Sequence, residues 1–233
     1  MKKKAMVLAA GLGTRLQNLT KDKPKALVEY RGKTLLEIVL RRLIHHGFRD
    51  IIINIHHYGD QIIDFTKSKK NFGINIAFSD ETDQLLDTGG GIKHAQWFFK
   101  DEPVLIHNVD VYTDLNLDEL YNFNNDFDRL ATFAVKSRPT SRSFLMDKNG
   151  LLCGWENLIT GEIIISREEN DVERIAYSGI GVLSPKFLDM LPPAQPYSLT
   201  PEILRISGNH DIYLFTQNGA WKDMGKIESY VVE

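Results

Sequence analysis

Two glycines spaced i, i+2 follow a short apolar run in Leu8-Ala9-Ala10-Gly11-Leu12-Gly13-Thr14-Arg15-Leu16, and Arg15, Lys21, Lys23 and Lys25 cluster behind them. A turn without Cβ atoms lets backbone N–H groups approach an anion, and a guanidinium or ammonium group beside it can hold phosphate oxygens. These residue types point to a small polyanion. Two familiar phosphate loops are excluded. Leu16 stands where the dinucleotide fingerprint needs its third glycine, and no complete Gly-x-x-x-x-Gly-Lys-Ser/Thr is present.

A second cluster, Asp87-Thr88-Gly89-Gly90-Gly91-Ile92, reads as a glycine run opening a helix. A third, Val104-Leu105-Ile106-His107-Asn108-Val109-Asp110, is an apolar strand with a carboxylate just past its carboxyl end. Ligands of open α/β sheets collect at that edge. Asp114, placed before Leu117, reads as a helix or turn cap.

The elements that must position these residues follow from periodicity. Residues 4–9 form a buried strand ended by glycine. From Thr34, the residues Leu35, Leu36, Val39, Leu40, Leu43 and Ile44 recur at helical spacing, with Thr34 and Glu37 as a capping box and Gly47 as a stop. Residues 51–55 are β-branched and apolar at consecutive positions, as expected where helices cover both sheet faces. The alternation continues with a helix near 59–65, a strand at 74–78, a helix at 91–99 and a strand at 103–107. The fold class is therefore α/β, a mostly parallel layered sheet flanked by helices. Short strands at 130–136, 144–146, 151–155, 161–165 and 180–183 predict a β-rich second half packed on the first. No linker or repeat divides the chain, so residues 1–233 are expected to form a single domain with halves of about 1–115 and 116–233.

Of the 233 residues, 42% are hydrophobic and 25% charged, which excludes disordered and fibrous classes. The net charge of −3 argues against a general nucleic-acid binder, although the first fifty residues carry net +8 and the rest −11. Lys2, Lys3 and Lys4 read as a solvated tail. The one cysteine, Cys153, is expected to be a buried thiol, with no disulfide or multi-cysteine metal site. The apolar start is too short for a signal peptide or a membrane span, so a cytoplasmic location without membrane association is the expectation.

The first cluster resembles the signature of the sugar-phosphate nucleotidyltransferases: a strand, then Leu-Ala-Ala-Gly-x-Gly-Thr-Arg, then a Pro-Lys pair about ten residues on, here Pro24-Lys25. The resemblance implies a Rossmann-like, glycosyltransferase-A-like nucleotidyltransferase fold with a sugar-binding second half. It implies that Ala10, Gly11, Gly13 and Thr14 wrap a nucleoside triphosphate, while Arg15 and Lys25 act catalytically on its phosphates. Thr88, Gly89, Gly90 and Asn108 are implied on the nucleotide side, Asp110 and Asp223 as Mg²⁺ ligands, and Glu156, Ser178 and Gly179 on the sugar side. Departures are visible at Asn18, at Ala26 and at Val109, which replaces the glycine of the family's Gly-Asp metal motif. Gly91 and Ile92 look most like the branch holding N-acetylmuramate 1-phosphate uridylyltransferases and some mannose-1-phosphate guanylyltransferases. The implied substrates are UTP and an N-acetylmuramate- or N-acetylhexosamine-type 1-phosphate. Alternatives are GTP with mannose 1-phosphate, a cytidylyltransferase for a choline-type phosphate, and an inactive nucleotide-binding regulator. The similarity ends near Tyr230 without an appended β-helix, so no acetyltransferase activity is expected, and the protein is expected to be a monomer or homodimer.

Other reactive residues read as structural. His45-His46 and His56-His57 lack the i, i+4 spacing of helical metal ligands. Ser178 lacks a Gly-x-Ser-x-Gly elbow. Trp97, Phe98 and Phe99 read as core-facing helix residues.

Overall fold

A computed structural model of the chain describes residues 3–126 and 128–230. Lys2 of the basic start lies outside them. Four parallel strands occupy the centre: β1 (Lys4–Leu8), β4 (Asp50–Ile55), β5 (Asn75–Asp80) and β6 (Val104–Asn108), in the order β5-β4-β1-β6. A minimal hairpin of β2 (Glu29–Tyr30) and β3 (Lys33–Thr34) leads into α1 (Leu35–His45).

Consecutive apolar residues suit these strands because helices cover both faces. Ala5, Val7, Ile51 and Ile53 point into one cluster with α1 and with α2 (Gly59–Ser68). Met6, Leu8, Ile52 and Ile106 point the other way, onto Ile92 of α3 (Asp87–His94) and Phe99 of α4 (Gln96–Phe99). The period-2 pleat thus divides each strand between two cores.

After β7 (Val111–Thr113) and α5 (Leu117–Asn125) come β8 (Ala131–Lys136), β9 (Arg142–Met146), β10 (Leu152–Asn157), β11 (Glu162–Ile165) and β12 (Glu173–Leu183). Helices α6 (Pro185–Met190) and α7 (Leu199–Ser207) and strands β13 (Ile212–Thr216) and β14 (Trp221–Asp223) follow. The expected packing of a second half onto the first is corrected here: β12 pairs antiparallel with β6, so later strands extend the same sheet in the order β11-β10-β9-β12-β6. Residues 173–175 pair with β9 and residues 180–183 with β6.

Several local expectations are also corrected. Asn116, not Asp114, caps α5, its side chain accepting from the Asp118 and Glu119 N–H groups. Only half of the capping box at α1 forms: Thr34 accepts from the Glu37 N–H at 3.1 Å, while the Glu37 carboxylate pairs with Arg41 at 2.7 Å. Trp97 is 59% exposed, because α4 is one short turn that buries only Phe99 fully. Lys3 and Lys4 are not a free tail, for they pair with Asp118 and Glu102. Cys153 is buried, and no helix among the described residues is long and apolar enough to cross a membrane.

His107 of β6 is fully buried. Its Nδ1–H donates to the Asn108 carbonyl at 2.8 Å, and Nε2 is buried without a hydrogen-bond partner. Burial pushes its pKa down to about 4, so between that value and the ordinary 6.5 the unfolded chain binds the proton and the folded one does not. Stability therefore falls as pH drops through this window, by up to about 3 kcal/mol. In urea melts between pH 7 and pH 4, His107→Phe is expected to flatten this dependence.

Candidate active site

The strand order places β1 between β4 and β6, with α1 leaving toward one face and α3 packing on the other. Connections that diverge to opposite faces leave a crevice beyond the carboxyl ends of the adjacent strands. A cleft of about 400 Å³ lies there, lined by Leu8, Ala10 and Gly11 after β1 and by Asn108 and Asp110 after β6. Arg15 and Lys25, on the segment between β1 and α1, close one wall.

Charge is concentrated at that wall. Lys25 Nζ lies 2.8 Å from Asp110 Oδ2, and both side chains are largely buried. Arg15 reaches Asp223 Oδ2 at 3.4 Å and Asp110 Oδ2 at 4.0 Å. Asp223 arrives through an antiparallel ladder: β14 pairs with β7, Asp223 standing opposite Val111, and the Met224 N–H donates to the Asp110 carbonyl at 2.7 Å. Two acids separated by more than a hundred positions thus flank one point. That point is Gly225. A Cβ there would sit 2.7 Å from Arg15 Nη2, 2.7 Å from Asp110 Oδ2 and 2.9 Å from Asp223 Oδ1.

The turn after β1 is shaped by Gly13, whose φ of 66° is left-handed and whose carbonyl accepts from Thr20 Oγ1 at 3.1 Å. Thr14 starts the 3₁₀ turn Thr14–Thr20, anchored by buried Leu16, which carries Arg15 outward. At Gly11 a Cβ would meet only Lys25 Nζ, at 3.6 Å, so space inside the protein does not demand glycine there.

Asn54 and Glu81, which sequence reasoning missed, brace the opposite side. Asn54 Oδ1 accepts from the Ala9 and Ala10 N–H groups at 2.7 and 3.3 Å, so the Ala10 N–H is engaged internally. Asn54 Nδ2 donates to Glu81 Oε1 at 2.8 Å, and Glu81 Oε2 accepts from the Leu86 N–H at 3.0 Å. Burial raises the Glu81 carboxyl pKa, with those hydrogen bonds opposing. The signal for Asn54 was a lone polar residue in an isoleucine run; Glu81 had none.

The glycine run lies within α3, which starts at Asp87, rather than opening a helix at Gly91. Asp87 and Thr88 line the cleft, although Thr88 Oγ1 accepts from the Leu199 N–H at 3.0 Å. Gly89 and Gly90 do not line it; a Cβ would fall 2.3 Å from the Tyr197 ring and 2.0 Å from the Gln195 carbonyl oxygen, respectively. At Gly91 it would fall 2.6 Å from Glu81 Oε1. These glycines permit α3 to pack against its neighbours.

On the side assigned to sugar, Gly179 has φ of 76° and backs onto Asn108, 2.9 Å separating its would-be Cβ from Nδ2. Ser178 is buried, its Oγ accepting from Gln217 at 3.0 Å and its carbonyl from Trp221 Nε1 at 2.9 Å. Glu156 lies on β10 outside the cleft lining, held by both Nε and Nη2 of Arg174, which keeps its carboxyl below the usual range. His46 meets Asp118 at 2.8 Å and His56 meets the Glu81 carbonyl at 2.7 Å, away from the acid pair.

Among the described residues no group of three His, Cys, Asp or Glu side chains could hold a metal. Two convergent carboxylates fit a hard cation such as Mg²⁺, whose remaining positions go to water and phosphate oxygens rather than to a protein cage.

Residues 4–233 match the family described as nucleotidyl transferase. The N-acetylmuramate alpha-1-phosphate uridylyltransferase of Caulobacter vibrioides is 30% identical over 95% of this chain and 91% of its own. The UTP–glucose-1-phosphate uridylyltransferase of Synechocystis is 28% identical over 97% of this chain, which spans only 61% of that longer protein. Mannose-1-phosphate guanyltransferase 2 of Candida glabrata is 26% identical over 98% of this chain and 63% of its own. In fold, the chain is similar to HddC from Yersinia pseudotuberculosis, solved in complex with GMP-PN, with a TM-score of 0.76 at 24% identity over 98% of this chain and 96% of that one.

Gly225→Ala is expected to push Arg15 and the two acids apart while leaving the fold unchanged. Calorimetric titration with a nucleoside triphosphate and Mg²⁺ should show binding weakened about tenfold or more, the scale of one lost charge-assisted contact, with an unaltered circular dichroism spectrum.

Proposed function

Because this chain belongs to the nucleotidyl transferase family, we propose that it joins a nucleoside triphosphate to a sugar 1-phosphate and releases pyrophosphate. UTP and an N-acetylmuramate- or N-acetylhexosamine-type 1-phosphate are the favoured pair, supported by the likeness to the Caulobacter uridylyltransferase over nearly the whole of both chains. The observation that carries the reading is the convergence of Arg15, Lys25, Asp110 and Asp223 at one end of the cleft.

The reaction needs no protein nucleophile. An oxygen of the sugar phosphate attacks the α-phosphorus in line and pyrophosphate leaves, so the protein's task is positioning and electrostatic compensation. Gly11, which lines the cleft with open space around it, offers its backbone to the triphosphate. Arg15 and Lys25 exchange their carboxylate partners for phosphate oxygens, the guanidinium as a planar fork and the ammonium as a mobile point charge that follows the leaving group. Asp110 and Asp223 hold Mg²⁺, which when bound offsets phosphate charge and orients its oxygens. Asn108, fixed from behind by Gly179, faces the cleft between the nucleotide and sugar sides.

GTP with mannose 1-phosphate is the second reading, favoured by the likeness to the Candida guanyltransferase. An inactive regulator would be marked by Val109, yet Val109 is buried in the core with its N–H on the Leu8 carbonyl at 3.1 Å, and the acids and cations are all retained.

Four nucleoside triphosphates assayed against a panel of sugar 1-phosphates should give Mg²⁺-dependent pyrophosphate with UTP and an N-acetylated sugar. Triphosphate binding without pyrophosphate from any combination would select the regulatory reading. Asp110→Asn and Arg15→Ala should each lower turnover by roughly 10²-fold while the circular dichroism spectrum shows the fold intact, the scale of one preorganised charge-stabilising group. Near-normal turnover in both would refute the assignment.

A further inference from the structure

Arg15 and Lys25 come to the acid pair from the segment after β1, and each already rests on a carboxylate. Arg138 reaches the same neighbourhood by another route, from the turn between β8 and β9. Its guanidinium carbon lies 3.7 Å from the centre of the Trp221 ring, and Nη2 donates to the Tyr177 carbonyl at 2.9 Å. Nη1 has only the adjoining Pro139 carbonyl, at a long 3.5 Å, and Nε is buried without a hydrogen-bond partner. Burial lowers the pKa of this group and the charge of Asp223 opposes that shift, yet no carboxylate forms an ion pair with Arg138 among the described residues.

An arginine that only ties strands together has five N–H groups to place on carbonyls and carboxylates. Here a half-buried guanidinium is held by one ring and one good hydrogen bond. Taking a charge partly out of water without a counter-charge is unfavourable, and an anion arriving at Nη1 would offset that cost.

Trp221 indicates where such an anion would lie. Its Nε1–H donates to the Ser178 carbonyl at 2.9 Å, beside Gly179, which backs onto Asn108 of the cleft lining. Trp221 and Asp223 are two residues apart on β14, so their side chains leave the same face from Cα atoms about 7 Å apart. Arg138 therefore supplies positive charge next to Asp223 from the Ser178–Gly179 side.

We propose that Arg138 binds the phosphate group of the second substrate, a phosphate monoester on a sugar, through Nη1. The inference rests on the reading of the cleft as a nucleotidyl-transfer site. That reaction brings two polyanions together, and once Arg15 and Lys25 are engaged by the triphosphate the incoming phosphate needs a counter-charge of its own. The stack on Trp221 and the bond to Tyr177 fix the guanidinium beforehand, so little side-chain freedom is lost when the phosphate arrives. A carboxylate elsewhere on the sugar would offer the same oxygen chemistry. The nearness of Asp223 favours the phosphate, which must approach the acids for its oxygen to attack, over a substituent that need not.

Calorimetry on the intact chain, saturated with Mg²⁺ and the α,β-methylene analogue of UTP or of GTP so that no pyrophosphate can leave, separates the two sources. Arg138→Gln is expected to weaken N-acetylglucosamine 1-phosphate and N-acetylmuramate 1-phosphate by the same factor, about tenfold, the scale of one charge-assisted contact. The affinity for the methylene analogue and the circular dichroism spectrum should not change. A wild type that binds neither sugar phosphate, no loss for either in the variant, a loss confined to the carboxylate-bearing N-acetylmuramate 1-phosphate, or an equal loss for the methylene analogue would each overturn the proposal. The expected pattern in a protein that releases no pyrophosphate with any triphosphate would uphold Arg138 as the phosphate site and refute the reaction instead. Should Arg138→Gln fail to fold, Arg138→Lys decides by the same titration, because an ammonium cannot hold the Tyr177 carbonyl and reach outward as a planar fork does: weakened sugar-phosphate binding supports the assignment and unchanged binding removes it.

Discussion

Four charges must share one small space without free water around all of them, and much of the molecule can be understood as the means of holding them there. Asp110 and Asp223 repel each other, and Lys25 and Arg15 offset that repulsion at 2.8 and 3.4 Å. Removing any one leaves an uncompensated charge in a partly buried setting, which is more destabilising than the intact set is stabilising. The same balance makes the site responsive. On the proposed function, a triphosphate would take over the two cations and a divalent cation the two acids, so each ion pair would be exchanged rather than lost.

The construction depends as much on missing side chains as on present ones. Gly225 lies where a methyl group would wedge apart both acids and Arg15, and Gly89, Gly90 and Gly91 let α3 approach Tyr197, Gln195 and Glu81. Their role in the free protein is close packing, which explains why three glycines persist in a helix despite the entropic penalty. Asn54 and Glu81 complete the frame by linking the backbone leaving β1 to the backbone entering α3. The two walls of the cleft are thereby joined through one buried hydrogen-bonded strut.

Extension of the sheet through β12 carries a different consequence. Because the later strands join the parallel core edge to edge, the sheet ends in a hairpin far along the order from β1, and the apolar β11 stands at its margin. The charged cleft beyond β1 and β6 and the apolar margin at β11 are thus separated by several strands.

The parallel core was legible in the sequence, since unbroken isoleucine and valine runs between helical periods have few alternatives in a chain of this size. The glycine turn with Arg15 and Lys25 was legible too, because its chemistry is local: spacing alone brings bare backbone and cations together. Helices α5, α6 and α7 were missed because their short apolar stripes are diluted by polar residues and prolines, and Asp114 was mistaken for a cap because Asn116 offers the same capping chemistry two residues on. What the sequence by itself determined, then, were elements and contacts set by neighbouring residues. The meeting of Asp223 with Asp110, the reach of Asn54 to Glu81 and the exposure of β11 were decided only by tertiary structure, because each depends on strand register and strand order, which join residues that no local period relates.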